Sequence, residues 1–261
     1  METFVENTRK RIGLIGCGTI GSRIVKRVTE ADAADIAFIC VRNVERARDA
    51  HPGIPVFSDL SEVKDQKVDL VIEAATAEVV KEIALCVLAR SDFLPFTMTG
   101  FADDSFLTQV RAACHSSGRR LFIAHGAVLG LDGVTDGNRL IEELTVTTTK
   151  PPKNLGLPED TAGVIYEGPT RAACKDFARN VNIHAAFALM GIGFDKMRSV
   201  VISDPTSNQL KTEVNVKGVG LEWSITIAST PVGAVSGNYV PESAASTVLR
   251  ILGGNSGLTL A

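Results

Sequence analysis

The sequence has no C-x-x-C pair and no even set of cysteines. Its five, Cys17, Cys40, Cys86, Cys114 and Cys174, are scattered along 261 residues. That excludes a disulfide framework and zinc-type ligand spacing, and it points to a reduced, cytoplasmic setting with no structural metal. No apolar run reaches the ~20 residues that cross a bilayer, so no membrane partner is expected. The first residues, Met1 to Lys10, are polar and charged, without the apolar core of a secretion signal. No long basic run occurs, and the formal net charge is -3; nucleic acid is therefore not an expected partner. Histidine is scarce at four residues, which leaves few side chains with an ordinary pKa near neutrality. What is present is core-forming material. The chain is 45% hydrophobic and 22% charged, and its length suits one large or two ordinary domains.

One run stands out. Arg11-Ile-Gly-Leu-Ile-Gly16-Cys-Gly18-Thr19-Ile20-Gly21-Ser is a buried strand, a glycine turn and a helix start. G-x-G-x-x-G in that context is a dinucleotide-binding turn: Gly16 makes the turn, Gly18 lets a pyrophosphate reach the backbone, and Gly21 lets helix and strand pack closely. The helix start, with Thr19 and Ile20, offers unpaired N–H groups and the positive end of a dipole to the anion. Ile20, Ile24, Val25 and Val28 then give the helix an apolar face.

Strand and helix patterns alternate from there. Strands are predicted at 35–41, 55–57, 68–74, 96–99 and 120–124, with helices at 44–50, 59–63, 78–89 and 104–116 between them. This is the pattern of a doubly wound parallel sheet, a Rossmann domain over residues 1–124. The alternation then stops. Period-two strands at 143–149, 199–202, 209–216 and 221–228, a short strand at 162–167 and helices at 171–177 and 183–190 predict a second α+β domain over 125–237 with a mostly antiparallel sheet. A last helix within 238–261 is expected to return to the first domain.

The second strand ends in Val41, followed by Arg42 and Asn43. NAD sites usually place an acid there for the ribose hydroxyls, whereas an arginine attracts a 2′-phosphate. NADP(H) is therefore expected to be used at least as well as NAD(H).

Further segments carry a resemblance. Asp69 to Ala75, His125-Gly-Ala-Val-Leu-Gly-Leu-Asp132, Thr147-Thr-Thr-Lys-Pro-Pro152, Tyr166-Glu-Gly168, Arg179-Asn-Val-Asn182, Gly191-Ile-Gly-Phe-Asp195 and Asp204-Pro205 occur in the order of the L-aspartate dehydrogenases, which the chain resembles over nearly its whole length. The resemblance implies NAD(P)-linked interconversion of L-aspartate and iminosuccinate, a small carboxylated amino, imino or keto substrate, and a homodimer. It also implies cofactor contacts at Ala127 and Asn182; Ala75, after the fourth strand, is a further cofactor-binding candidate.

The chain departs from that family at its proton-transfer residue. Where the family has Asn-x-His after Asp-Pro, this sequence has Leu210 and Thr212. A threonine hydroxyl hydrogen-bonds but is no acid near neutral pH. The candidates for proton transfer are then His125 and His184, both on segments expected to reach the nicotinamide end; either is alternatively a satisfied structural histidine. Lys150 is a candidate partner for a substrate carboxylate, or else a solvated lysine. His51 and His115 are expected on the surface, away from the site. Two other readings stay open: an NADPH-dependent reductase of a different imine or ketone, and a dinucleotide-binding protein without catalysis.

Overall fold

A computed structural model describes residues 9–253 apart from 125, 128 and 233–235. The first half is built as β1 (Arg11–Ile15), α1 (Thr19–Glu30), β2 (Asp35–Cys40), α2 (Val44–Ala50), β3 (Val56–Phe57), a 3-10 turn at Leu60–Asp65, β4 (Leu70–Glu73), α3 (Ala77–Leu88), β5 (Asp92–Pro95), a second 3-10 turn at Thr99–Ala102, and α4 (Asp104–Ser117). The five strands are parallel in the order β3-β2-β1-β4-β5. Strand order reverses between β1 and β4, and that is the point at which an open α/β sheet holds its ligand, outside the carboxyl ends of the strands.

Local chemistry sets these elements. The fully buried Phe38 ring of β2 lies across Gly13 of β1, where any Cβ would stand 2.1 Å from it. The face of α1 made by Gly21, Ile24, Val25 and Val28 is buried. Thr76 caps α3 and Asp103 caps α4 by accepting the first free amides. Gly118, in the left-handed region at φ 68°, ends α4.

Two sequence expectations are corrected here. The fifth strand is Asp92–Pro95 rather than 96–99. The amides of Thr97, Met98 and Thr99 donate to the side chains of Glu73 and Asn182 instead of to a ladder. The expected strand at 120–124 shrinks to one bridge, Phe93 with Leu121. Phe93 exchanges bonds with Arg120 and Phe122, but the next donor along β5 is Pro95, which has no N–H.

The second half comprises α5 (Leu131–Gly137), β6 (Ile141–Lys150), α6 (Pro152–Leu155), β7 (Gly163–Pro169), α7 (Thr170–Asp176), α8 (Asn182–Met190), β8 (Arg198–Ser203), β9 (Leu210–Gly218) and β10 (Leu221–Ser229). Short strands β11 (Pro231–Val232) and β12 (Ser236–Gly237) precede α9 (Tyr239–Leu252). The main sheet has the order β10-β9-β6-β8-β7; β6 and β8 are parallel and the other neighbours antiparallel. Its inner face, with Leu144, Val146, Val201, Val214 and Val216, joins Phe187 of α8 in one core. The periodicity did not reveal α5 or α6; α6 begins at Pro152, a residue the sequence pattern marks as a breaker but which suits a helix's first position.

Helix α9 returns to the first sheet. Ala244, Ala245 and Val248 are fully buried with Ile24 and Val28 of α1, and Glu242 pairs with Arg23 and Arg27 at 3.2 and 3.0 Å. A second tie crosses between the two sheets' helices: Arg171 of α7 grips Asp195 and reaches Asp104 of α4 at 3.0 Å.

Candidate functional site

The glycine turn sits at the point of strand reversal. Gly16, at φ 87°, donates its N–H to the Cys40 carbonyl of β2, and a Cβ there would stand 2.4 Å from the Ala74 carbonyl oxygen. A Cβ on Gly21 would stand 2.2 Å from the Gly16 oxygen. A Cβ on Gly18 would meet nothing within 4 Å. Two glycines are thus required by the fold itself, and the third borders open space. Gly18 is also the N-cap of α1, with no side-chain cap and no acidic residue in the first turn. The helix start is left to face the crevice with its amides, beside exposed Thr19 and half-buried Ile20. These residues fit a dinucleotide pyrophosphate.

Arg42 and Asn43 follow β2 on the rim of the same crevice, and both are exposed. With Val44 and Glu45 they line an open groove. The Asn43 side chain accepts from the Arg46 amide at 3.1 Å and so caps α2. Ala75, exposed, follows β4 against Gly16. His51, expected to be remote, places Nε2 3.2 Å from Cys17 Sγ in the turn; its position at the end of α2 brings it back over β1, a tertiary contact with no sequence signature.

The other wall comes from the second half. Asn182, first residue of α8, accepts at Oδ1 from the amides of Met98 (2.9 Å) and Thr99 (3.4 Å), beyond β5. It fastens the two halves together. Ala127 lies half-buried in the turn that follows Ala124. His125 lies outside the described residues. Lys150, at the end of β6, is buried and donates to Asn180 Oδ1 at 3.1 Å. Burial pulls its ammonium pKa down to about 8. The solvated-lysine reading of this residue therefore fails.

Thr212 of β9 is buried and stands directly opposite Thr148 of β6 on the inner face. Behind Thr148 lies His184, with no exposed surface. The polar chain around it has one consistent direction. The Thr170 hydroxyl donates to the Met197 carbonyl at 3.1 Å and accepts from Ser199 Oγ at 2.8 Å. Ser199 Oγ in turn accepts from His184 Nδ1–H at 2.9 Å, leaving Nε2 to accept the Thr148 hydroxyl at 2.7 Å. Both ring nitrogens are used. Desolvation, aided by the Lys150 charge, pushes the imidazole down to about 3. It is a neutral core histidine, and it offers no proton to the crevice directly; the structure corrects the expectation of a direct donor at this position.

Glu73 was overlooked because a single acid in an apolar strand has no motif. It is the last residue of β4, without exposed surface. Its carboxyl accepts from the Ala75 amide, from the Thr97 amide at 3.2 Å and from the Thr97 hydroxyl at 3.0 Å. Burial raises it to about 7 against those donors. Among the described residues no group of three His, Cys, Asp or Glu side chains is arranged to hold a metal, and no helix is long and apolar enough to cross a membrane.

Comparison with known proteins agrees with both halves. Residues 16–124 match the family described as homoserine dehydrogenase, NAD binding domain, and residues 133–251 match aspartate dehydrogenase, C-terminal. The L-aspartate dehydrogenase of Archaeoglobus fulgidus is 31% identical over 85% of this chain and 88% of its own. That of Methanocaldococcus jannaschii is 31% identical over 79% and 83%. The crystal structure of aspartate dehydrogenase from Thermotoga maritima superposes with a TM-score of 0.78 at 24% identity, covering 97% of this chain and 99% of that one.

Two outcomes are expected. Gly18→Ala leaves the unfolding free energy in urea within about 0.5 kcal/mol but weakens dinucleotide binding, whereas Gly21→Ala loses about 1–3 kcal/mol of stability. A Gly18→Ala protein that binds dinucleotide like the parent removes the turn from the site. His184 has a folded pKa below its unfolded one, so its contribution is present above 6.5 and is lost as pH falls toward about 3. The parent should lose stability more steeply than His184→Gln over that window; equal slopes would mean that the ring is hydrated.

Proposed function

The chain belongs to the L-aspartate dehydrogenase family, and on that footing we propose that it interconverts L-aspartate and iminosuccinate with a nicotinamide dinucleotide. The observation that carries this reading is the glycine cradle at the point of strand reversal, open only at Gly18, facing a second wall anchored by Asn182 and Lys150. The bound dinucleotide supplies the hydride acceptor or donor. The chain's residues hold its pyrophosphate at Gly16–Gly21 and the start of α1, with Ala75, Ala127 and Asn182 along the remainder.

We assign the proton exchange to Lys150. Neutral Lys150 Nζ takes a proton from the substrate ammonium, giving a free amine from which hydride loss at Cα is feasible. His184 is assigned to the core, and Thr212 to hydrogen bonding in the same layer. A lysine lowered to about 8 by burial has a basic fraction that grows as pH rises through that value. For the cofactor, the exposed Arg42 at the end of β2 supports NADP(H) used at least as well as NAD(H), with Glu45 on the same rim opposing an exclusive preference. A homodimer is proposed through the outer face of the second sheet, where Val164 is 59% exposed beside half-buried Ile202.

A second reading is favoured by one observation: position 212 carries a threonine, buried and without an acid's pKa. On that reading the protein is an NADPH-dependent reductase of a different imine or ketone.

A coupled assay separates the two. Oxaloacetate plus ammonia, run beside other keto acids, ketones and cyclic imines, is expected to consume NADPH and NADH. Aspartate oxidation should rise with pH through about 8, and Lys150→Arg should keep cofactor binding while losing about 10²-fold or more in kcat. Arg42→Asp should raise the KM for NADPH about tenfold and leave that for NADH nearly unchanged. No turnover of oxaloacetate, with turnover of another panel member, gives the second reading.

A further inference from the structure

The adenosine half of a dinucleotide lies toward the end of β2, where its ribose is read. The nicotinamide half therefore lies over the ends of β4 and β5. Those two ends are joined by one side chain. Glu73, at the end of β4, accepts from Ala75 in the loop after β4 and from Thr97 in the loop after β5. An acid is an unusual choice for such a staple, because an amide or hydroxyl side chain would bridge the loops without burying a charge.

We propose that Glu73 is a positioning residue whose protonation is coupled to the oxidation state of the bound nicotinamide. The inference rests on the dinucleotide reading above. The oxidised ring carries a positive charge and the reduced ring does not. A carboxylate buried beneath that half of the crevice favours the oxidised form, and a carboxylic acid does not. Binding of oxidised dinucleotide then releases the Glu73 proton to solvent, and reduction restores the preference for the acid. The coupling is reciprocal: each tenfold change in relative affinity corresponds to one unit in the pKa of Glu73. Its position near about 7 lets the exchange operate at neutral pH.

The titratable neighbours are few and leave Glu73 distinct. Cys17, after β1, is held protonated by its partial burial. On α3, Glu78 is exposed and Lys81 is bonded to Asp103 at 2.9 Å. On β5, Asp92 stands at the opposite end of the strand, paired with Arg120. From the second half, Lys150 ends β6, and His184 of α8 is enclosed behind Thr148 and neutral.

The test is binding rather than turnover. Dissociation constants for NADP+ and NADPH, and for NAD+ and NADH, are measured by calorimetry from pH 5.5 to 8.5. Within each pair the ratio cancels groups remote from the ring, the 2′-phosphate included. The ratio of oxidised to reduced constants should fall about three- to tenfold with rising pH, centred near about 7. Glu73→Gln should abolish the change centred near about 7 and leave only a change centred near about 8 from Lys150, which separates the two groups. Thr97→Val keeps the acid but removes one donor to its charged form, so the midpoint should move upward; this variant decides the matter if Glu73→Gln does not fold. A flat ratio in the parent, or an unchanged slope in Glu73→Gln, overturns the inference while both forms still bind. Failure of every form to bind overturns the dinucleotide reading and this inference with it.

Discussion

The absence of two β-carbons is the constraint on which the crevice depends. At Gly16 and Gly21 the backbone of β1, the loop after β4 and the first turn of α1 approach so closely that a methyl group would overlap a carbonyl oxygen. That contact fixes where α1 starts, and hence where its unpaired amides point. A tolerated side chain at either position would push the helix away from the sheet. The amides would then no longer converge above the point where strand order reverses. Gly18, by contrast, has no packing duty, so the space beside it is available to a ligand.

The rest of the crevice is held by side chains that accept backbone amides. Glu73 takes amides from the loops after β4 and β5, and Asn182 takes two from the segment beyond β5. The segment beyond β5, Thr97 to Thr99, is buried, and its backbone donors need partners. Side chains supply them from another strand and from another domain's helix. The same economy explains why the parallel sheet stops at five strands. The donors that would have extended β5 are consumed by Glu73 and Asn182, and Pro95 lacks one altogether.

This also marks the limit of what residue patterns reveal. The glycine turn, the alternation of strand and helix as far as α4, and the change to period-two strands from β6 onward are local or short-range signals, and they were legible. The displacement of β5 was not, because Phe96-Thr-Met-Thr99 has strand composition and only the distant Glu73 and Asn182 redirect its amides. Nor was the burial of His184. Its neighbours Thr148, Ser199 and Thr170 come from three separate elements, each an unremarkable hydroxyl in sequence. The family comparison supplied the substrate class, while it is the geometry that moves attention from His184 to Lys150 and Glu73.

Burial acts on the two walls of the crevice in opposite directions with one result. It raises the carboxyl of Glu73 toward about 7 and lowers the ammonium of Lys150 toward about 8. Each shift disfavours the charged form, as desolvation must. Both groups therefore have pKa values displaced toward neutrality, Glu73 from below and Lys150 from above. Ligand charges can tip either group at little cost: a carboxylate favours protonated Lys150, and a cationic ring favours ionised Glu73. Solvated side chains at the same positions would already be fully charged, and would have no protonation change left to couple to binding. His184 is driven so far below neutrality that it stays unprotonated, whereas Glu73 and Lys150, although buried, keep pKa values close enough to neutral pH for a ligand charge to change their protonation.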